Sequence, residues 1–250
     1  MTETIQGSDF SHYNISVDFP LAIKSGQLAF YCKSSEGAEG NGMRDATYQE
    51  KRVACGNLAP FGPYHFLKMS AAADAQARWF KKCAPEPTSL PPFADCEQHP
   101  YEPLNSTIPL DRKRRHVHDF LLRTEDAFLR KPIIYTAPYW WRDNIGDVSW
   151  AKDYQFVIAA YLFYKGPIPA TFVPYWPGPR TLFYIPRENV VGWQWAGDIP
   201  NPGKYPWASG SQDFNTFDKE QIYALANYKP PPTLEQRVTN LEGRVTALGG

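Results

Sequence analysis

Asp95 and Glu97 stand two residues apart in Ala-Asp-Cys-Glu-Gln, directly after the apolar run Leu90-Pro91-Pro92-Phe93-Ala94. Hydrolysis of a glycosidic bond needs an acid to protonate the departing oxygen and a second negative group to support the oxocarbenium-like centre. Side chains alternate along a strand, so these two acids face one side while Cys96 faces the other. Two carboxylates this close do not readily ionise together; one pKa rises and leaves a proton available near neutral pH. An isolated Asp-x-Glu is a weak signal, most often a solvated strand or loop end. The apolar run ahead of it raises its weight, because a buried carboxylate without a purpose costs free energy. Asp9, in Gly7-Ser8-Asp9-Phe10-Ser11, and Asp213, in Asp213-Phe214-Asn215, add acids from opposite ends of the chain. In barrel enzymes catalytic groups converge from the C-terminal ends of separate strands, where four such acids can form one site.

The elements that must position them follow from periodicity. The 250 residues suit one α/β barrel. Segments 5–10, 28–33, 61–66, 90–97, 132–136, 156–161 and 190–195 read as strands. Segment 48–55, a stretch from an N-cap at Ser70 to Cys83, and 112–129 read as helices, the last with Val117, Phe120, Leu121, Thr124 and Phe128 on one face. Strand alternating with helix predicts a mainly parallel sheet, and this many repeats favours closure. Prolines and aromatics crowd 163–180, so no regular helix is expected there and the last third of the barrel is degenerate. From Thr233, residues Leu234, Val238, Leu241, Val245 and Leu248 keep the four-three spacing of a coiled-coil seam. The expected organisation is a barrel over 1–228, a linker over 229–232 and the start of an oligomerising stalk over 233–250, a parallel dimer or a trimer.

Composition narrows the partners. Formal net charge is zero, which does not suit the anionic track of a nucleic acid. Aromatics make up 15%, with 8 Trp and 15 Tyr, and flat rings beside polar groups suit sugar faces as well as cores. No stretch approaches the length of a membrane span, and 1–7 has no export-signal pattern. Cys32, Cys55, Cys83 and Cys96 lack metal spacing, so neither metal nor cofactor is expected; reduced thiols are the default, with a Cys55–Cys83 bridge left open.

The ordered motifs resemble glycoside hydrolase family 25, the Chalaropsis-type lysozymes of phage endolysins and of bacterial and fungal muramidases. Beside the acid motifs above, the resemblance rests on Lys33-Ser34-Ser35-Glu36-Gly37, Gly62-Pro63-Tyr64-His65-Phe66, Ile134-Tyr135-Thr136, Ala159-Ala160-Tyr161 and Trp193-Gln194-Trp195. It spans about residues 5–217. It implies a modified TIM-like (β/α)5(β)3 barrel that cleaves the β-1,4 bond between N-acetylmuramic acid and N-acetylglucosamine of peptidoglycan. It makes Glu97 the general acid, with Asp9, Asp95 and Asp213 around the scissile sugar. Asp95 then acts either as nucleophile or as the group that orients the substrate's own N-acetyl; adjacent acids on one strand cannot flank the bond from both faces, which favours substrate assistance. Phage origin, with release at lysis or carriage on a virion, is the expected setting.

Lys33 and Glu36 enter the substrate-binding set through that resemblance. Tyr64, Tyr135, Tyr161, Trp193 and Gln194 end strands where a cleft is expected. His65 is read first as a hydrogen-bonded structural histidine, with a substrate contact as the alternative that keeps it in the set. Asp198 is read as a turn residue, the 165–180 loop as a wall over the cleft or a self-packed surface loop, and Arg112-Lys113-Arg114-Arg115 as a solvated helix face. His116 and His118 fall on different helix faces, unlike a metal pair. The rival function is a non-catalytic wall-binding or structural barrel, and a relic of that kind is expected to have lost at least one acid.

Overall fold

The computed structural model describes residues 3–102, 104–201 and 203–230. Eight strands close into a barrel: β1 (Thr4–Phe10), β2 (Gln27–Glu36), β4 (Phe61–Phe66), β5 (Phe93–Asp95), β6 (Ile133–Thr136), β7 (Phe156–Tyr164), β8 (Val190–Ile199) and β9 (Gln212–Asp218), with β1 pairing both β2 and β9. A two-residue strand, β3 (Met43–Arg44), folds back on β2 outside the ring. Neighbouring barrel strands are parallel except β9, which runs antiparallel to β8 and β1. Its reversed direction brings the start of β9 to the end of the barrel where the other strands finish; Asp213 lies directly opposite Asp9.

Helices α1 (Phe19–Lys24), α2 (Tyr48–Cys55), α3 (Ala73–Cys83), α4 (Leu110–Phe128) and α5 (Pro138–Asn144) fill the connections after β1, β2 with its hairpin, β4, β5 and β6. Among the described residues no α-helix joins β7 to β8 or β8 to β9, as the proline-crowded sequence leads one to expect. The α4 face buries Val117, Phe120, Leu121 and Thr124, one stripe at helical spacing. Outward side chains of the strands pack with such stripes in one core, while inward side chains form a second, which includes Tyr31, Phe93, Val157 and Phe217. Room for those rings comes from glycine: a Cβ on Gly62 would lie 2.5 Å from the Tyr31 ring, and one on Gly192 2.6 Å from that of Phe217. Helix α6 (Lys219–Ala226) follows β9 and adds Ile222 and Ala226 to the inner core, which closes the barrel at the end remote from Asp9.

Several local expectations change. Strand β5 is three residues long, so Glu97 stands just past it on the following turn. Helix α3 starts at Ala73 without a side-chain cap, and the Ser70 hydroxyl donates to Glu102 instead. The basic run on α4 is only partly solvated: buried Lys113 donates to Asn144 Oδ1 at 2.8 Å and Arg114 Nε to the Ile145 carbonyl at 2.7 Å, which fastens α4 to the end of α5. All four cysteines are buried free thiols. Among the described residues no helix is long and apolar enough to cross a membrane. Segment 233–250, for which a coiled coil is expected, lies outside the described residues.

Candidate active site

Period-two alternation decides which strand residues meet at the open end. From β1, β2, β4, β5, β6 and β9 it turns Asp9, Lys33, Tyr64, Asp95, Tyr135 and Asp213 inward, and β7 and β8 add Tyr161 and Gln194. With Glu97 they line a cleft of about 450 Å³. Cys96 points the opposite way, into the core beneath the helices.

The same rule removes two expected members. His65 alternates with Tyr64 and faces the helices: it is wholly buried, with Nδ1 2.8 Å from Ser35 Oγ and Nε2 3.3 Å from Gln76 Oε1. Burial pushes its pKa down to about 3, so the ring is neutral. Trp193 alternates with Gln194, packs in the outer core and donates Nε1–H to the Ala160 carbonyl at 3.0 Å. Glu36 lies beside the cleft, not on its wall. Its carboxylate takes Lys33 Nζ at 2.6 Å, Lys68 Nζ at 3.0 Å and His99 Nε2 at 3.2 Å. Burial opposes its charge, but the hydrogen bonds and charges of Lys33 and Lys68 outweigh it and bring the pKa down to about 2.

The structure adds residues around these. Asn215 shares a strand face with Asp213 and stands behind the cleft wall, bonded to Asp9. Tyr164 reaches the cleft because a register irregularity between Ala159 and Phe163 breaks the alternation: Phe163 packs outward on Phe172 and Trp195, while Tyr161 and Tyr164 stack with their rings 3° from parallel. Asp198 is not a simple turn residue. It lies within β8 at φ 53°, lines the cleft, and directs its backbone N–H to Asp213 Oδ1 at 2.7 Å. The 165–180 loop contributes none of the residues that line this cleft.

A directed hydrogen-bond chain ends on Asp9. Tyr135 OH donates to Gln194 Oε1 at 2.6 Å, Gln194 Nε2 donates to Asp9 Oδ2 at 2.6 Å, and Asn215 Nδ2 reaches the same oxygen at 2.7 Å. With the Tyr135 proton committed to Gln194, its oxygen is free to accept from Tyr161 OH, 3.2 Å away. Donors aligned towards one carboxylate polarise one another. Asp95 contrasts with this: it is buried, and its Oδ1 has no hydrogen-bond partner among the described residues.

The charged lining comprises Asp9, Asp95, Glu97, Asp198, Asp213 and a single cation, Lys33. Burial, followed by the charge of Asp9, pushes Glu97 up to about 7. Burial and then Glu97 raise Asp95, and burial and then Asp9 raise Asp213. Burial raises Asp9 too, against the two amide hydrogen bonds. Lys33 pulls both Asp95 and Glu97 down. A carboxyl that holds its proton to about pH 7 beside other carboxyls has the equipment of a general acid, and after giving up that proton of a general base.

The family model described as glycosyl hydrolases family 25 matches residues 8–204. Lysozyme M1 of Streptomyces globisporus is 26% identical over 236 residues, which is 90% of this chain and 72% of that protein. An N,O-diacetylmuramidase of Chalaropsis sp is 26% identical over 209 residues, 79% of this chain and 97% of that one. The structure of a muramidase from Acremonium alcalophilum superposes with a TM-score of 0.68 at 26% identity, covering 89% of this chain and 99% of that chain.

Proposed function

The chain belongs to glycosyl hydrolases family 25, and from that premise we propose that it is a muramidase that hydrolyses the β-1,4 bond between N-acetylmuramic acid and N-acetylglucosamine in peptidoglycan. The observation that carries this reading is Glu97, poised near pH 7 in a cleft where acids from β1, β5, β8 and β9 converge. Glu97 gives its proton to the glycosidic oxygen as the bond from that oxygen to the sugar's C1 breaks. The substrate's N-acetyl carbonyl oxygen bonds to C1 and forms a cyclic oxazolinium. Water then adds at C1, the ring reopens to the N-acetyl group, and the Glu97 carboxylate takes the water's proton. The product keeps the β configuration.

Asp95 is assigned to the N-acetyl group. Its unpartnered Oδ1 is an acceptor for the amide N–H, and that hydrogen bond orients the carbonyl towards C1. A direct nucleophile needs a readily ionised carboxylate, whereas burial and the neighbouring Glu97 disfavour the charge on Asp95. Asp9 and Asp213 flank the sugar, and Tyr64, Tyr135, Tyr161, Gln194 and Lys33 contact it. The same reading takes the barrel as the (β/α)5(β)3 form, supported by α-helices in the connections after the first five strands of the ring and, among the described residues, in none of the connections between β7, β8 and β9.

The test is digestion of purified peptidoglycan with product identification by mass spectrometry. New reducing ends on N-acetylmuramic acid, absent with Glu97→Gln, are expected. Unchanged wall, as a non-catalytic binding barrel would leave it, or released peptides would overturn the reading.

A further inference from the structure

Gln76 on α3 lies outside the cleft and is wholly buried, yet it spends both ends of its amide on one residue. Its Oε1 accepts the Lys68 backbone N–H at 2.8 Å and its Nε2 donates to the Lys68 carbonyl at 2.7 Å, with a further bond to the Ala71 carbonyl at 2.9 Å. The same Oε1 meets His65 Nε2. An amide oxygen only accepts, so Nε2 carries the ring proton and Nδ1 accepts from the Ser35 hydroxyl. Ser35 precedes Glu36 in β2. Helix α3 thus grips both partners of one ion pair by their backbone neighbourhoods: Lys68 directly, Glu36 through His65 and Ser35.

From that grip the pairs run inward. Lys68 Nζ reaches Glu36 Oε1 at 3.0 Å, and Glu36 Oε2 holds Lys33 Nζ at 2.6 Å. Lys33 is the sole cation among the charged residues lining the cleft. Sharing the cleft with Glu97 are its neighbour Asp95 from β5, Asp9 from β1, Asp198 from β8 and Asp213 from β9, with the tyrosines Tyr64, Tyr135 and Tyr161, held neutral by burial, from β4, β6 and β7. One positive charge among several carboxyls makes their titration sensitive to where that charge sits, because a Coulomb interaction scales inversely with distance and is weakly screened when buried.

We propose that Gln76 is a positioning residue for this site, acting through Lys68 and Glu36 to fix the Lys33 ammonium against the Asp95–Glu97 pair. The catalytic consequence rests on Glu97 being the proton donor; the positional claim does not. Without the clamp, Lys68 and Glu36 shift, Lys33 recedes, and Glu97 holds its proton to higher pH. Withdrawal of a unit charge from roughly 6 to roughly 8 Å at an effective dielectric near 20 moves a titration by about half a pH unit.

The experiment is a titration of the Glu97 carboxyl by carbon-detected NMR in the intact protein, for wild type, Gln76→Met, Lys33→Met and the double variant. The Glu97 midpoint is expected to rise by about half a pH unit in Gln76→Met, and Gln76→Met is expected to add nothing once Lys33 is Met. Should Gln76→Met fail to fold, Lys68→Met takes its place, because it keeps the buried amide bonds and removes only the link to Glu36; the same pattern is expected. An unmoved Glu97 in a folded variant, or an undiminished shift without Lys33, overturns the proposal. A wild-type protein that leaves peptidoglycan uncut would overturn the muramidase reading alone, since the titration does not use turnover.

Discussion

Replacement of Glu97 by Gln removes a carboxyl that folding forces to keep its proton, and the consequence is a stability change that depends on pH. In the unfolded chain Glu97 titrates near 4.5; in the folded cleft burial and Asp9 carry it to about 7. A group whose folded pKa is raised contributes its full stability below the unfolded value and loses it as pH climbs towards the folded one. The window here is therefore pH 4.5 to about 7. That interval corresponds to about 3 kcal/mol at 1.36 kcal/mol per pH unit. Gln cannot ionise and escapes the loss. Relative to wild type, Glu97→Gln should be about 3 kcal/mol more stable at pH 8 than it is at pH 4, or roughly 6–12 °C in Tm for a chain of this size. Urea unfolding of both proteins at the two pH values measures this difference. An equal stability gap at pH 4 and pH 8 would refute the claim that the cleft forces Glu97 to stay protonated, as would a variant that weakens towards pH 8.

Three further outcomes follow from the geometry. Hydrolysis rates on a wall suspension should fall as pH rises through about 7, because the proton on Glu97 is lost there; an undiminished rate at pH 9 would contradict the acid role. Proton NMR of a fresh digest should show the β-anomer of the new reducing end first, since attack by the N-acetyl oxygen and then by water retains configuration; an initial α-anomer would exclude substrate assistance. Trp193→Phe should cost about 1 kcal/mol through the lost bond to the Ala160 carbonyl and leave KM within about twofold, as expected of a ring in the outer core; a tenfold rise in KM would place it in the cleft.

Much of this arrangement was legible in the residues because two periodicities carry it. The stripe of Val117, Phe120, Leu121 and Thr124 marks α4, and the segments 61–66 and 48–55 coincide with β4 and α2. Alternation also turns Asp95, the last residue of β5, and Cys96, the residue after it, to opposite sides. It sets His65 and Trp193 apart from the cleft as well: each neighbours an inward residue, Tyr64 or Gln194, and two consecutive strand residues cannot both face it; the structural reading of His65 holds, and the cleft reading of Trp193 does not. Tyr164 was out of reach, since a bulge shifts the phase of β7 and leaves no compositional mark. Lys113 and Gln76 were hidden by polarity. Each is buried because its hydrogen bonds are met by partners outside its own helix, Asn144 for one and the Lys68 backbone for the other, and a single sequence does not announce such pairings.

The central claim is that Glu97 delivers the proton to the departing sugar oxygen, and the dependence of its substitution on the leaving group tests that most directly. A natural alkoxide leaving group needs the proton, whereas a nitrophenolate leaves without one. With Glu97→Gln, cleavage of the natural β-1,4 bond should drop by roughly 10²–10⁴-fold, while bond breaking in a nitrophenyl glycoside of the same sugar should fall by less than about tenfold. Equal losses on both substrates, or full activity of Glu97→Gln on peptidoglycan, would contradict the account.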